Sequence, residues 1–326
     1  MNKKLQGNIF LLLTAIIWGF AFVAQGSITE YMPPFMFNGI RMYLGTLSLI
    51  LLIFIANRYP GIQKIVGGEP LDENGNKLEV DEYRRLLIKS GVSCGVIMYF
   101  AANTQQIGLV YTTASKTAFI TTLYIVLVPL MGVFLKHKIG RNAWIGVAFA
   151  TVGMYLLCIT ESFTITFGDF IVFVGAFFWG LQIIVLDKYV QKIMVMKIIA
   201  LQFFVAGTMS LISSPFIDGL FNVQVDLNAF LSAVPSILYV GIISTAGAAT
   251  FQGLGQRYAN PTTASILLSM ESVFGAIFGY IFMHDLLTPR EYLGCVLMFI
   301  AILIVQTPTK KERMEREAKE KEKLLS

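Results

Sequence analysis

Gly7, Trp18 and Gly19 return as Gly168, Trp179 and Gly180, each displaced by 161 residues (168 − 7). A second echo runs at an offset of 147 (258 − 111). Tyr111-Thr-Thr-Ala-Ser is matched by Tyr258-Ala-Asn-Pro-Thr-Thr-Ala-Ser, and His137 by His284. Both echoes sit in or beside long apolar runs. Such a chain is a tandem duplication, and its fold must be one that two copies of the same unit can build together.

Each copy is made of runs long enough to cross a bilayer. A hydrocarbon core of about 30 Å takes roughly 20 apolar residues in a helix. Ten such spans are read at 7–25, 35–56, 86–109, 112–135, 142–160, 168–187, 196–217, 231–254, 261–283 and 289–306. At 56% apolar and 14% charged residues, with a mean hydropathy of +0.68, the chain lies outside the range of soluble globules. Strict alternation is absent, which argues against a β-barrel. Met1-Asn2-Lys3-Lys4 before the first run has the flavour of a signal peptide, but no small-x-small site closes it. Because that run recurs as span 6, it is expected to stay part of the fold. Cys94, Cys158 and Cys295 all lie in apolar runs at spacings that fit neither a disulfide framework nor a metal site.

Charge sets the expected orientation. With the N-terminus in the cytosol, 22 of the 25 Lys and Arg residues fall on the cytosolic side and only Arg290 on the other. Both termini are then cytosolic, in a multi-pass protein of the cell membrane. Five spans per half is an odd number, so the second half must enter the membrane from the opposite face. The expectation is an all-α polytopic membrane protein of ten transmembrane helices, arranged as two inverted five-helix repeats over 7–160 and 168–306. A cytosolic loop at 57–85 and a charged tail at 307–326 complete the chain. Asp72-x-Asn74-Gly75 has an EF-hand flavour, but no Glu stands at the twelfth position. In the tail, Glu312–Arg316 and Glu315–Lys319 are spaced for helical pairing.

Repeats of this kind point to a transporter with its site between the halves. No phosphate loop, H-E-x-x-H or G-x-S-x-G motif is present, so neither an ATP-driven pump nor an enzyme is indicated, and no cofactor is called for. A small organic solute is the expected partner, in contact with the lipid bilayer and without nucleic acid; proton coupling is left open. The alternative is a non-transporting membrane receptor or scaffold.

Arg41, Lys116 and Glu271 lie at membrane depth, where each costs about 2.5–3.5 kcal/mol at a helix centre unless paired or hydrated. Glu271 shares a helix face with Gly275 and Gly279, a surface that packs on protein and not on lipid. Two readings stand for it: a proton-exchanging or substrate-binding carboxylate, or a structural ion pair with Arg41 or Lys116. Span 3 lines up Gly91, Gly95, Tyr99 and Asn103, with Gln106 a turn later, as a helix that packs closely and then borders a wet cavity. Trp179 and Gln182 share a face of span 6, and Trp18 occupies the matching place in span 1. Each Trp reads either as a packing residue or as cavity lining for an amphipathic organic solute.

At these residues the chain resembles the drug/metabolite transporter superfamily, in its ten-helix branch with two EamA-type repeats. Trp18-Gly19-Phe20-Ala21-Phe22 is similar to the family's first-helix motif, and Asn38-Gly39-Ile40-Arg41 to its second-helix Arg. Tyr258-Ala-Asn-Pro261-Thr-Thr-Ala264 with Met270-Glu271-Ser-Val-Phe-Gly275 is similar to its ninth-helix motif. The family's Glu-Pro pair reads Glu271-Ser272 here, and the first-half counterpart is Tyr124 with Pro129 downstream. The resemblance implies an exporter or facilitator of small organic solutes, with spans 1–4 and 6–9 around the cavity and spans 5 and 10 peripheral.

Overall fold

The structure is a computed structural model that describes residues 3–26, 28, 32–59, 79–112, 114–136, 139–158, 166–221, 227–278, 280–281 and 288–307. Among these residues all regular structure is helical. Seven spans are continuous: Lys3–Gly26, Pro34–Arg58, Val80–Tyr111, Arg141–Cys158, Phe167–Val190, Val195–Ile217 and Pro289–Gln306. Three are interrupted. Span 4 is Ala114–Thr122 followed by Tyr124–Phe134, and span 9 is Pro261–Leu268 followed by Glu271–Phe278. Span 8 runs from Leu227–Leu238 through a π-helical stretch, Tyr239–Ala248, to Ala249–Gln256.

Nine stretches among the described residues are long and apolar enough to cross a membrane. The tenth, Arg141–Cys158, is diluted by its polar start but runs antiparallel along span 10, with Gly153 against Gly294 and Asn142 bonded to the Thr307 carbonyl. Large apolar side chains stay exposed on the outer faces, such as Leu47, Leu51 and Phe54 on span 2 and Phe299 and Leu303 on span 10. A soluble monomer does not present such faces to water; lipid covers them.

The ends are set by local chemistry. Spans 6 and 10 open with capping boxes, Thr166 with Asp169 and Thr288 with Glu291. Asp218, from the second half, accepts from Phe35 N at 3.0 Å and Met36 N at 2.8 Å, so it caps span 2 from outside. The helix of span 3 starts at Val80, ahead of the apolar run that begins at 86, because the charged turn Asp81 to Arg85 is also helical. The remainder of the large loop (60–78), both histidines and the tail beyond 307 lie outside the described residues.

The packing obeys a two-fold exchange of the halves. Span 1 packs on spans 8 and 9, and span 6 on spans 3 and 4; span 2 packs on span 7 and span 5 on span 10. The contacts repeat residue by residue. A methyl added to Gly7 would lie 2.7 Å from Tyr258 Cβ, and one added to Gly168 2.8 Å from Tyr111 Cβ. Gly39 meets Leu211 as Gly207 meets Tyr43, both at an offset of 168 (207 − 39, 211 − 43). With five spans per copy, each crossing once, such an exchange turns one copy upside down relative to the other.

The interruptions obey it too. Span 4 breaks at Leu123, whose N–H bonds back to Ile120 at 3.2 Å; span 9 breaks at Met270, bonded back to Leu267 at 3.3 Å. Those positions are 147 apart (270 − 123). Tight three-residue bonds end one helix and start the next without a proline at 272. The bend at Glu271 therefore survives the Glu-Ser departure.

Candidate functional site

Spans 1, 2, 3, 4, 6, 8 and 9 line a small, partly open cavity of about 50 Å³. Its lining is Trp18, Ala21, Phe22, Gln25, Arg41, Gln105, Thr121, Tyr124, Trp179, Ser244 and Glu271. These residues occupy the middle of the bundle and the half nearest the turn between spans 1 and 2. In the other half the spans close: Gln182, Gln202, Gln252 and Gln256 are all buried.

The two-fold axis passes through the cavity. Trp18 and Trp179, repeat counterparts, face each other with ring centroids 6.0 Å apart and planes tilted by 59°. Tyr124 and Glu271, also counterparts (271 − 124 = 147), meet across the axis, the phenol donating to Glu271 Oε1 at 3.0 Å. Both side chains stand at the first residue of the second half of a broken span. Broken spans at mid-membrane are where helical carriers place polar sites, because freed backbone groups need a protein or cavity partner.

Arg41 is held from behind. Its Nε donates to Asn38 Oδ1 at 2.7 Å, and its guanidinium lies 5.4 Å from the Phe37 ring centroid. Asn38 in turn donates to Asn103 Oδ1 at 3.1 Å, and Asn103 to Ser210 Oγ at 2.8 Å. Among the described residues neither Arg41 nor Glu271 forms an ion pair; the hydrogen bond to Glu271 comes from Tyr124. Gln105 donates to Thr121 Oγ1 at 3.1 Å on the cavity wall.

Of the nine residues singled out from the sequence, Trp18, Arg41, Trp179 and Glu271 line this cavity. Asn103 stands behind Arg41 through Asn38, and Tyr99 is bonded to Ser213 at 2.8 Å. Gln106 is buried with Nε2 unpartnered, and Gln182 lies in the closed half, accepting from Gln252 at 3.1 Å. Lys116 lies in Coulombic reach of Asp169, away from the lining. Sequence reasoning passed over Gln105 and Tyr124 as lining. The signal that finds them is the 147-residue offset, which pairs Gln105 with Gln252 and Tyr124 with Glu271. Among the described residues no three His, Cys, Asp or Glu side chains converge as metal ligands.

A bundle of two exchanged five-helix repeats around a central cavity is the architecture of a membrane transporter. This chain belongs to the EamA-like transporter family, whose model matches residues 5–159 and 166–307, one copy on each repeat. It is 26% identical over 305 residues to an "Uncharacterized transporter" of Archaeoglobus fulgidus, covering 93% of this chain and 86% of that protein. It is 24% identical over 311 residues to the "Uncharacterized transporter YoaV" of Bacillus subtilis, covering 93% and 97%. A solved structure titled only "Crystal structure of protein" shares the fold at a TM-score of 0.69 and 13% identity, covering 92% of this chain and 96% of that one.

Proposed function

We propose that this transporter moves a small organic solute carrying an apolar body and an anionic group, by alternating access between the repeats 7–160 and 168–306. One observation carries the reading: Arg41, without an anionic partner among the described residues, borders the same cavity as the paired indoles of Trp18 and Trp179. A buried guanidinium left unpaired is expensive, and an incoming carboxylate offsets that cost through charge-assisted hydrogen bonds. The indoles supply a flat apolar surface for the rest of the solute.

By the distribution of Lys and Arg, both termini lie in the cytosol of a cell-membrane protein and the cavity faces outward. Export or facilitated exchange follows once the repeats swap conformations and the closed half opens. The buried Glu271 carboxyl, bonded to Tyr124 and facing the cavity, is the group that would exchange a proton with the solute pathway.

The test is uptake by purified protein in liposomes, with and without a pH gradient, using aromatic and aliphatic carboxylates beside their neutral amides. Carboxylates should move faster than their amides, and Arg41→Gln should abolish that preference while the protein remains folded. Equal rates for acid and amide in the unsubstituted protein would overturn the substrate class, and no movement of any solute would overturn transport by this chain alone.

A further inference from the structure

The closed half of the bundle contains a polar cluster that the cavity does not use. Gln182, Gln202 and Gln252 are 0%, 0% and 1% exposed. Gln252 donates to Gln182 at 3.1 Å, and Gln182 to Gln202 at a long 3.5 Å. Gln202 Nε2 and Gln252 Oε1 are buried without a hydrogen-bond partner, and so is Trp179 Nε1 beside the cavity. Leaving a buried amide donor or acceptor unmade costs about 1–3 kcal/mol each. Packing alone would favour Leu or Met at these places, as elsewhere in the surrounding core. Two orphaned amide atoms within one hydrogen-bonded cluster therefore need a reason beyond this conformation.

The repeat offsets supply one. Adding 161 to Ala21 gives Gln182 and adding it to Gln25 gives Leu186; adding 147 to Gln105 gives Gln252. Ala21, Gln25 and Gln105 all line the open cavity. Gln182 and Gln252 are thus the two-fold images of cavity-wall positions, held closed in this conformation, and Gln202, the image of Pro34 (202 − 168), joins them from span 7. The image differs in charge: Arg41 plus the span 2 to span 7 offset of 168 falls on Met209, a neutral residue.

We propose that Gln182, Gln202 and Gln252 form a second, uncharged half-site, which opens toward the face of the N-terminus and binds a neutral group that both donates and accepts hydrogen bonds. The proposal rests on the alternating-access reading and deepens it. In the open cavity the solute's charge is met by Arg41; in the opposite state its amide-like or hydroxyl groups are met by the free Nε2 of Gln202 and Oε1 of Gln252. The two Trp rings on the axis serve both half-sites. The same solute is then held by charge from one face and by neutral hydrogen bonds from the other.

The experiment uses single cysteines in the full chain with Cys94, Cys158 and Cys295 replaced by Ser, reconstituted in liposomes and treated with a membrane-impermeant methanethiosulfonate on one side at a time. Gln105→Cys should react from the cavity face. Gln252→Cys and Leu186→Cys should react only from the opposite face, roughly 10- to 1,000-fold more slowly if the second state is a minor one. Leu186→Cys leaves the amides intact, so it reports even where Gln252→Cys folds poorly. Benzamide, an apolar ring with a neutral amide, should slow labelling of Leu186→Cys, and Gln182→Leu with Gln252→Leu should remove that protection. If Gln105→Cys reacts and solute is transported while neither Gln252→Cys nor Leu186→Cys reacts from either face, the half-site does not exist. Labelling of Leu186→Cys without protection by benzamide would overturn its ligand class. Absence of solute transport with reactive Leu186→Cys would count against the transport reading and in favour of the half-site.

Discussion

The seam between spans 1 and 8 and the seam between spans 6 and 3 occupy equivalent places in the two repeats, yet they are held by different forces. In the first, Thr14 Oγ1 donates to the Ala248 carbonyl at 3.1 Å, Trp18 Nε1 to Ser244 O at 3.2 Å, and Tyr239 Oη to Ile17 O at 2.9 Å. All three involve the π-helical stretch Tyr239–Ala248, where i→i+5 bonding widens the turn and helps backbone carbonyls reach side chains. In the second, the counterpart of Thr14 is Gly175, packed on the Ala101 carbonyl and Thr104, and the counterpart of Ile17 is Phe178, stacked on Phe100 at 5.1 Å. Span 3 is regular α-helix there, and Trp179 Nε1 has no partner.

The lesson is that the duplication preserved the frame and let the polar chemistry diverge. Under the proposed alternating access, each seam takes the other's conformation in turn. Seams of different chemistry would make those two states unequal in free energy and so favour one of them, such as the one open beside the turn between spans 1 and 2. A further tie joins the spans at the closed face. Arg257, beyond the end of span 8, donates to Val190 O at 2.7 Å and Ile193 O at 3.0 Å, tying span 8 to the end of span 6. Burial pulls its pKa below the usual arginine value, but the guanidinium remains charged, with two of its N–H groups given to carbonyls. Its repeat counterpart is Val110 (257 − 147), which has no such group.

Four outcomes break or sharpen this comparison. The largest is expected at the axis. Glu271→Gln should abolish the response of transport to a pH gradient while exchange at equal pH persists, and Tyr124→Phe should keep that response with an altered pH profile. Gradient-driven transport by folded Glu271→Gln protein would remove the carboxyl from coupling.

Next come the twin glycines. A methyl at Gly19 would lie 2.7 Å from the Glu271 carbonyl and 2.7 Å from Gly275 N, both backbone, whereas one at Gly180 meets Met131 Cε at 2.8 Å, the end of a flexible side chain. Gly19→Ala should cost roughly 1–3 kcal/mol by overpacking and lower folded yield, and Gly180→Ala much less. Equal losses in detergent melting would mean that the two packings are equally rigid.

Smaller again is the indole contrast. Trp18→Phe loses a hydrogen bond worth about 0.5–1.5 kcal/mol, while Trp179→Phe removes an unpaired donor and should be neutral or stabilising in the same melts. A greater loss at Trp179 would point to a partner for its indole. The smallest effect is at the Arg257 tie: Arg257→Gln should leave the melt nearly unchanged and speed thiol labelling of Leu186→Cys several-fold. Unchanged labelling would show that the seams, not the tie, hold the closed face.

Much of the frame is legible in the sequence. Ten spans, two repeats and the special places of Trp18, Trp179, Arg41 and Glu271 follow from apolar run length, repeated residue types and the cost of charge in lipid. Those signals are sums over windows or single large energies, so they do not depend on small rotations of a helix. Facing does. Neighbouring residues on a helix point about 100° apart, which separates Gln105 on the cavity wall from Gln106 buried behind it. The break before Glu271 without a proline, the π-helical stretch in span 8 and the closure of the amide cluster also belong to the tertiary structure alone. Each depends on which backbone and side-chain groups find partners once the spans have packed, and no property of the isolated residues carries that information.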